Sequence, residues 1–369
     1  MRTEGDFIKI NEWLRPLSWI YGLGVRLRNL LFETGVLKSR AFDIPVIAVG
    51  NITVGGSGKT PHVEYLINLL HDKMKVAVLS RGYKRKSRGY VLAHKDTPMS
   101  EIGDEPFQMR LKFDDIYVAV DRNRCHGIDR LTTDEETKDT DVILLDDAFQ
   151  HRYVKPGINI LLVDYHRLII YDELLPAGHL REPKDGKNRA DMVIVTKCPK
   201  DLKPMEYRVL TRAMNLYPYQ DLFFTTIAYK NLKAVFGNEQ KPLKSLTDGT
   251  NILLLTGIAS PRQLQEDLSV YSKRITPLSF SDHHAFTKRD TELINSTFST
   301  MPSPCIIVTT EKDMARLTAV SGLSEEVKAC LYALPIEVTF MLNGEEAFNN
   351  KITSYVQKNS RNSILNKAK

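Results

Sequence analysis

Apolar residues in this chain gather mostly in short unbroken runs at 46–49, 75–80, 116–120, 141–145, 159–163 and 192–196, with helical or loop-like segments between them. Runs of this kind are strands buried on both faces, and their regular alternation with helices predicts a mostly parallel sheet covered on both sides. A second series follows at 251–256, 277–280 and 304–309 and predicts another α/β unit. The runs 221–229 and 334–340 lie between and after the two series, and their positions suggest a pair of strands crossing between domains. The chain is long for a single core. The division expected is an N-terminal helix over 1–35, a main domain over 36–217, linker strands at 218–230 and 334–343, a smaller α/β domain over 231–333, and a C-terminal segment over 344–369 whose polar, basic end from Lys358 is frayed.

The first run breaks at Gly50 into a loop that ends in Gly58-Lys59-Thr60. A strand that turns through glycines into an amphipathic helix surrounds an anion with backbone N–H groups and the positive helix end. The pattern predicts a phosphate-binding loop over Thr53, Val54, Gly55, Gly56, Ser57, Gly58, Lys59 and Thr60. Lys59 would reach the β- and γ-phosphates and Thr60 would ligate Mg²⁺. Thr53 stands where the usual pattern opens on glycine, while Gly55 and Gly56 still supply backbone freedom. The alternative is a glycine-rich turn with no ligand.

The run at 142–145 ends in Asp146-Asp147, a carboxylate pair suited to Mg²⁺ or its water shell when the strand lies beside the phosphate loop. A strand-end acidic cap is the plainer alternative. Thr196-Lys197-Cys198-Pro199 lacks the aspartate that a guanine-reading segment needs at its fourth position, so ATP is the expected nucleotide. Gly103-Asp104-Glu105-Pro106 reads as a loop, either an exposed acidic turn or the source of a general base. Asp282-His283-His284 could supply a histidine partner for such a base, or be an ordinary surface cluster. The basic run from Arg81 to Arg88 follows the second strand, at the edge where open α/β sheets bind ligands, and suits a phosphorylated substrate or simply solvent.

A hydrophobic content of 42% and a charged content of 26% describe a globular chain. The net charge of +6 favours anionic partners, but no aromatic-basic pattern points to nucleic acid. The four cysteines have neither zinc nor disulfide spacing and read as thiols in a reducing cytosol. No secretory signal is legible. Both tryptophans, Trp13 and Trp19, fall in one apolar segment with Arg15, Arg26 and Arg28, whose uncharged stretch is too short to span a bilayer. An interfacial helix, with its arginines near anionic lipid, or a helix docked on the protein's own core would each account for it.

Taken together, the segments 49–61, 80–83, 103–106, 146–151, 175–183, 280–283 and 310–313 resemble the tetraacyldisaccharide 4'-kinases of lipid A biosynthesis, in order and over most of the chain. This sequence has Lys84-Arg85 where the family often has glycines, Ala148 for glycine and His179 for proline. The resemblance implies a P-loop α/β/α domain and a smaller α/β domain joined by a two-stranded linker. It implies transfer of the γ-phosphoryl of ATP to the 4'-hydroxyl of tetraacyldisaccharide 1-phosphate by a monomer on the cytoplasmic face of the inner membrane, held there by its N-terminal helix. It implies Asp104 as catalytic base with His283 as partner, Lys59 on the transferred phosphate, and Asp146, Asp147 and Thr60 around Mg²⁺. Asn51, Arg81, Arg122, Gln150, His151 and Arg181 fall to the substrate. Two rival functions stay open: a P-loop kinase for a soluble phosphorylated substrate, and a non-catalytic nucleotide switch on membranes.

Overall fold

The structure, a computed structural model, describes residues 8, 10–258, 261–282 and 284–360. The chain divides into two compact units, one formed by 1–227 with 338–369 and the other by 228–337. The first holds the strands β1 Val46–Gly50, β2 Val76–Ser80, β3 Val91–Leu92, β4 Tyr117–Val120, β5 Val142–Asp146, β6 Ile158–Asp164 and β7 Met192–Thr196. Strand β8, Asp221–Tyr229, leaves this unit. The second unit contains β9 Leu232–Ala234, β10 Gln240–Lys241, β11 Asn251–Thr256, β12 Ile275–Ser279, β13 Cys305–Thr310 and β14 Leu331–Leu334, and β15 Ile336–Phe340 returns from it.

The first sheet runs β15-β8-β7-β6-β1-β5-β2-β4-β3. From β4 to β8 every neighbouring pair is parallel, and β3 is antiparallel to β4. Strand β1 lies centrally between β5 and β6, and its five residues, like those of β2, β5 and β7, are all buried. That is why these strands read as continuous apolar runs. All parallel strands end on one edge, so the loops after β1, β2, β4, β5, β6 and β7 share that edge, with the order of connection reversing at β1. Helix α1, Arg15–Glu33, precedes the sheet, and helix α2, Lys59–Leu70, follows β1 and buries Val63, Leu66, Ile67 and Leu70. The second sheet runs β10-β9-β14-β13-β11-β12, parallel from β14 to β12 with an antiparallel margin.

Strands β8 and β15 are neighbours. Met341 N donates to Phe224 O and Lys230 N to Pro335 O, both at 2.9 Å or close to it, so numbering rises on one strand as it falls on the other and the ribbon is antiparallel.

Three sequence expectations need correction. The run 334–340 is broken at Pro335, which cannot donate to a ladder: Leu334 ends β14 and the ribbon strand starts at Ile336. Asp104 lies not in a loop but at the first turn of the helix Asp104–Lys112. Lys358, the expected start of the frayed tail, still belongs to the helix Gly344–Asn359, which buries Phe348, Ile352 and Val356. Residues 361–369 lie outside the described residues.

Candidate active site

Gly58, at φ 83°, turns the chain from the loop into α2, a left-handed geometry that glycine adopts without a side-chain clash. Thr53, where glycine is usual, is paired as a bridge with Leu180, and extended backbone there accepts any side chain. The start of the loop is tied down by its own neighbours. The Asn51 amide donates to Ser57 Oγ at 2.7 Å and Thr53 Oγ1 at 3.3 Å, Gln150 Nε2 donates to Asn51 O at 2.6 Å, and Val54 N donates to His179 O at 2.8 Å. Asn51 and Gln150, expected on the substrate side, thus hold the loop itself in this structure.

Lys59, at the start of α2, reaches across to β5. Its Nζ stands 3.5 Å from Asp147 Oδ1, and Arg181 Nη1 is 3.4 Å from Asp147 Oδ2. Burial pushes the Asp147 carboxyl up, but Lys59, Arg181 and Arg124 outweigh it and hold the group below the usual carboxylate range. Asp146 behaves in the opposite way. Fully enclosed, it is pushed up to about 7 by burial first, and then by the charges of Glu105 and Asp147. Its Oδ2 accepts from Ser80 Oγ at 3.2 Å, and Arg124 Nη2 donates to its backbone carbonyl at 3.2 Å. Asp146 Oδ1 and Asp147 Oδ1 are buried without a hydrogen-bond partner. Two adjacent carboxylates, Asp146 with a buried oxygen that no described residue meets and Asp147 with one met only by the Lys59 ammonium, suit a hard divalent cation, which takes one or two carboxylates and fills its shell with water and phosphate oxygens. Among the described residues no cluster of three or more His, Cys, Asp or Glu is set to hold a metal.

The loop after β2 and the turn before Asp104 touch because both carry glycine. A Cβ on Gly82 would meet Ile102 O at 2.8 Å, and one on Gly103 would meet Tyr83 O at 2.8 Å. The motifs Ser-Arg-Gly-Tyr and Gly-Asp-Glu-Pro are therefore two sides of one contact, which brings Asp104 and Glu105, both half-buried, beside the loop that carries Arg81. Arg81 and Arg122 are exposed at the sheet edge. His151 is held down to about 4 by burial, then by Arg124, Arg28 and Arg81, so its ring is neutral near pH 7. His283 lies outside the described residues. The neighbouring His284 pairs with Asp290 at 2.9 Å, a local contact at the cap of the helix Lys288–Ser299.

Helix α1 and the 3-10 turn Glu12–Leu14 that leads into it present an unusual surface. Trp13 is 93% exposed, Trp19 73%, and Ile20 and Leu23 70% each. The opposite side of α1 is seated by polar contacts: Arg15 on Glu173, Ser18 Oγ on Leu174 O at 2.9 Å, Tyr21 Oη on Arg181 O at 2.8 Å and Arg28 Nη2 on Gln150 O at 3.0 Å. Arg15 and Arg28, expected to face anionic lipid, are thus engaged by the protein, and Arg26 remains exposed. No helix among the described residues is long and apolar enough to cross a membrane.

Ser80, Glu105 and Arg124 bear on Asp146 but carry no weight of their own in the sequence reading. Ser80 and Glu105 sit inside the motifs at 80–83 and 103–106, whereas nothing around Arg124 marks it: it donates to Asp121 O, three residues away, and to Asp146 O, 22 residues away at the end of β5.

Comparison with known proteins covers nearly the whole chain. A family model described as tetraacyldisaccharide-1-P 4'-kinase matches residues 10–357. The tetraacyldisaccharide 4'-kinase of Phocaeicola vulgatus is 61% identical over 363 residues, 98% of this chain and 99% of that one. The enzyme of the same name from Bacteroides fragilis is 53% identical, over 98% of this chain and 97% of that one. A crystal structure of LpxK from Aquifex aeolicus in complex with ATP superposes with a TM-score of 0.71 at 28% identity, covering 94% of this chain and 99% of that one.

Proposed function

The chain belongs to the tetraacyldisaccharide-1-P 4'-kinase family, and from that premise we propose how its residues perform the reaction. The enzyme transfers a phosphoryl group from ATP to the 4'-hydroxyl of tetraacyldisaccharide 1-phosphate in lipid A biosynthesis. In our reading, loop 53–58 and the N-terminus of α2 hold the phosphate chain of ATP through backbone N–H groups. Lys59 follows the γ-phosphate, balanced in the resting site by Asp147. Thr60, Asp146 and Asp147 would hold Mg²⁺, which when bound neutralises charge on the phosphate oxygens.

Asp104 accepts the proton of the 4'-hydroxyl as its oxygen attacks the γ-phosphorus and ADP leaves, and His283 supports it in that role. Arg81 and Arg122, together with His151 and Arg181, bear on the acceptor side. Asn51 and Gln150 contribute through the shape of the loop. The exposed apolar side of α1 lies in the cytoplasmic interface of the inner membrane, at the depth where an acylated disaccharide presents its headgroup. The enzyme works there as a monomer.

The observation that carries this reading is the Lys59–Asp147 contact beside the buried, unpartnered Oδ1 of Asp146 at the end of β5. That arrangement has charge for a phosphate and ligands for a cation in one place. Mass spectrometry of detergent-dispersed lipid after incubation with enzyme and ATP tests it, with one added phosphate at the 4' position expected. Phosphorylation of a soluble sugar phosphate instead would move the enzyme to another substrate class. ATP turnover with no phospho-product would turn it into a nucleotide switch.

A further inference from the structure

Three consecutive carbonyls of the glycine loop are each held from outside the loop. Gly56 O accepts from Lys197 Nζ, Ser57 O accepts from Thr196 Oγ1 at 2.9 Å, and Gly58 O lies 2.7 Å from His62 Nδ1. A carbonyl can only accept, so His62 carries its proton on Nδ1. Its Nε2 is then an acceptor, and Thr225 Oγ1, at 3.1 Å on β8, donates to it. The ring is buried and neutral, held down to about 4 chiefly by that burial.

Lys197 is itself fixed. Its ammonium pairs with Asp164 Oδ2 at 2.7 Å at the end of β6, and both side chains are largely shielded from water. Its backbone takes φ 56°, an uncommon conformation for a lysine that turns the chain out of β7 toward the loop. Thr196 and Lys197 occupy the segment whose missing aspartate spoke against guanine recognition. The structure gives these two residues another occupation.

Resting on the reading that this loop binds the phosphates of ATP, we propose that Lys197, backed by Asp164 and joined by Thr196 and His62, is a positioning residue that clamps the carbonyl edge of residues 56–58. With the three carbonyls drawn to one side, the amides that follow them in the chain are set toward the anion before nucleotide arrives. The positive charge of Lys197 is cancelled by Asp164, so its effect is geometric. A preset loop spares ATP the cost of ordering it, and the gain appears mainly as nucleotide affinity.

The test uses the full-length enzyme in detergent micelles, varying ATP and lipid separately, with ATP affinity and thermal unfolding measured alongside. Lys197→Met should raise the KM and Kd for ATP by about tenfold or more, the usual loss for a charge-assisted hydrogen bond. The fall in kcat should be smaller, and the KM for lipid should stay within about twofold. Lys197→Arg should recover most of the affinity, and Thr196→Val should shift it in the same direction as Lys197→Met. A Lys197→Met enzyme with unchanged KM for ATP, or with the KM for lipid raised equally, overturns the proposal. So does a loss that tracks a lowered unfolding temperature and is not rescued by arginine.

Should the single variant fail to fold because Asp164 is left unpaired, the Asp164→Asn/Lys197→Met pair removes both charges, and an unchanged KM for ATP in that enzyme overturns the proposal as well. Lys59→Ala run in parallel separates the two levels. If it retains turnover, the phosphate-loop reading fails; if it is inactive while the Lys197 variants bind ATP normally, only the clamp fails.

Discussion

Lys59 and Asp104 stand on opposite sides of the proposed chemistry, and their loss should look different. Lys59→Ala removes the charge that follows the γ-phosphoryl group into the transition state, while the loop keeps its shape through Asn51, Gln150 and the contacts on its carbonyls. Turnover should fall by roughly 10² or more with the fold intact, and activity within about threefold of wild type would take the lysine out of the mechanism. Asp104→Asn should lower kcat by about 10²–10⁴ with ATP affinity little changed, as measured by initial rates and by nucleotide titration. A raised KM for ATP at constant kcat would make Asp104 a ligand-positioning group. Lys59 stands out in the sequence because a phosphate-binding loop demands lysine directly after its last glycine, whereas Asp104 reads equally as an acidic turn and takes the role of base only from the family resemblance. The contacts of Arg124, Ser80 and Lys197 are not legible there, since these residues reach Asp146 or Gly56 from other elements and only the sheet order makes them neighbours.

At the scale of the element, helix α1 joins two requirements. Its outer face exposes Trp19 and several aliphatic side chains, with Trp13 exposed in the turn just before it, far more than a solvated helix normally shows. Its inner face is built into the fold, since Phe32 is buried and a Cβ on Gly22 would meet Leu174 Cδ1 at 2.7 Å. Removing the helix would therefore disturb the segment after Asp172 as well as any membrane contact. The cleaner change is Trp19→Glu with Leu23→Glu, both on the exposed face. That enzyme should keep its unfolding temperature within a few degrees and lose liposome flotation, because burying two carboxylates in the interface opposes insertion. Unaltered flotation would place the membrane contact elsewhere. The sequence signals the helix by composition but not which arginines face out. It does not signal the helix Gly344–Asn359 at all: its buried Phe348, Ile352 and Val356 recur every four residues among polar neighbours, a stripe too narrow to stand out.

For the molecule as a whole, acid stability has a source in His62. Its pKa in the fold, about 4, lies below the 6.5 of a free side chain, so the unfolded chain takes up a proton that the folded one refuses. The contribution is complete above about pH 6.5, is lost as pH falls toward 4, and amounts to about 3 kcal/mol. Thermal melts of wild type and His62→Asn across that window should converge on acidification; parallel curves would mean that the folded ring takes up its proton as readily as the unfolded one.

The two-unit architecture makes a separate demand. Apolar runs disclosed the parallel strands of the first sheet and β11, β12 and β13 of the second, but not the short strands β3, β9 and β10 or the body of β14, and Pro335 divides one run between the two sheets, a distinction that hydrophobicity does not register. Residues 228–337 form an uninterrupted stretch of chain with a sheet and buried clusters of its own, entered and left through the β8–β15 ribbon. Because Lys230 and Pro335 are hydrogen-bonded partners on that ribbon, residue 229 can be joined to residue 336 through a short Asn-Gly turn. The shortened enzyme should fold and bind ATP within about threefold of wild type, since loop 53–60, Asp146, Asp147 and the loop-holding residues Thr196, Lys197 and His62 all belong to the first unit. Phosphoryl transfer should drop by about 10² or more with His283 removed. Calorimetric titration with ATP and lipid phosphorylation read the two effects independently. Loss of ATP binding would mean that the second unit completes the nucleotide site, and retained transfer would remove His283 from the reaction.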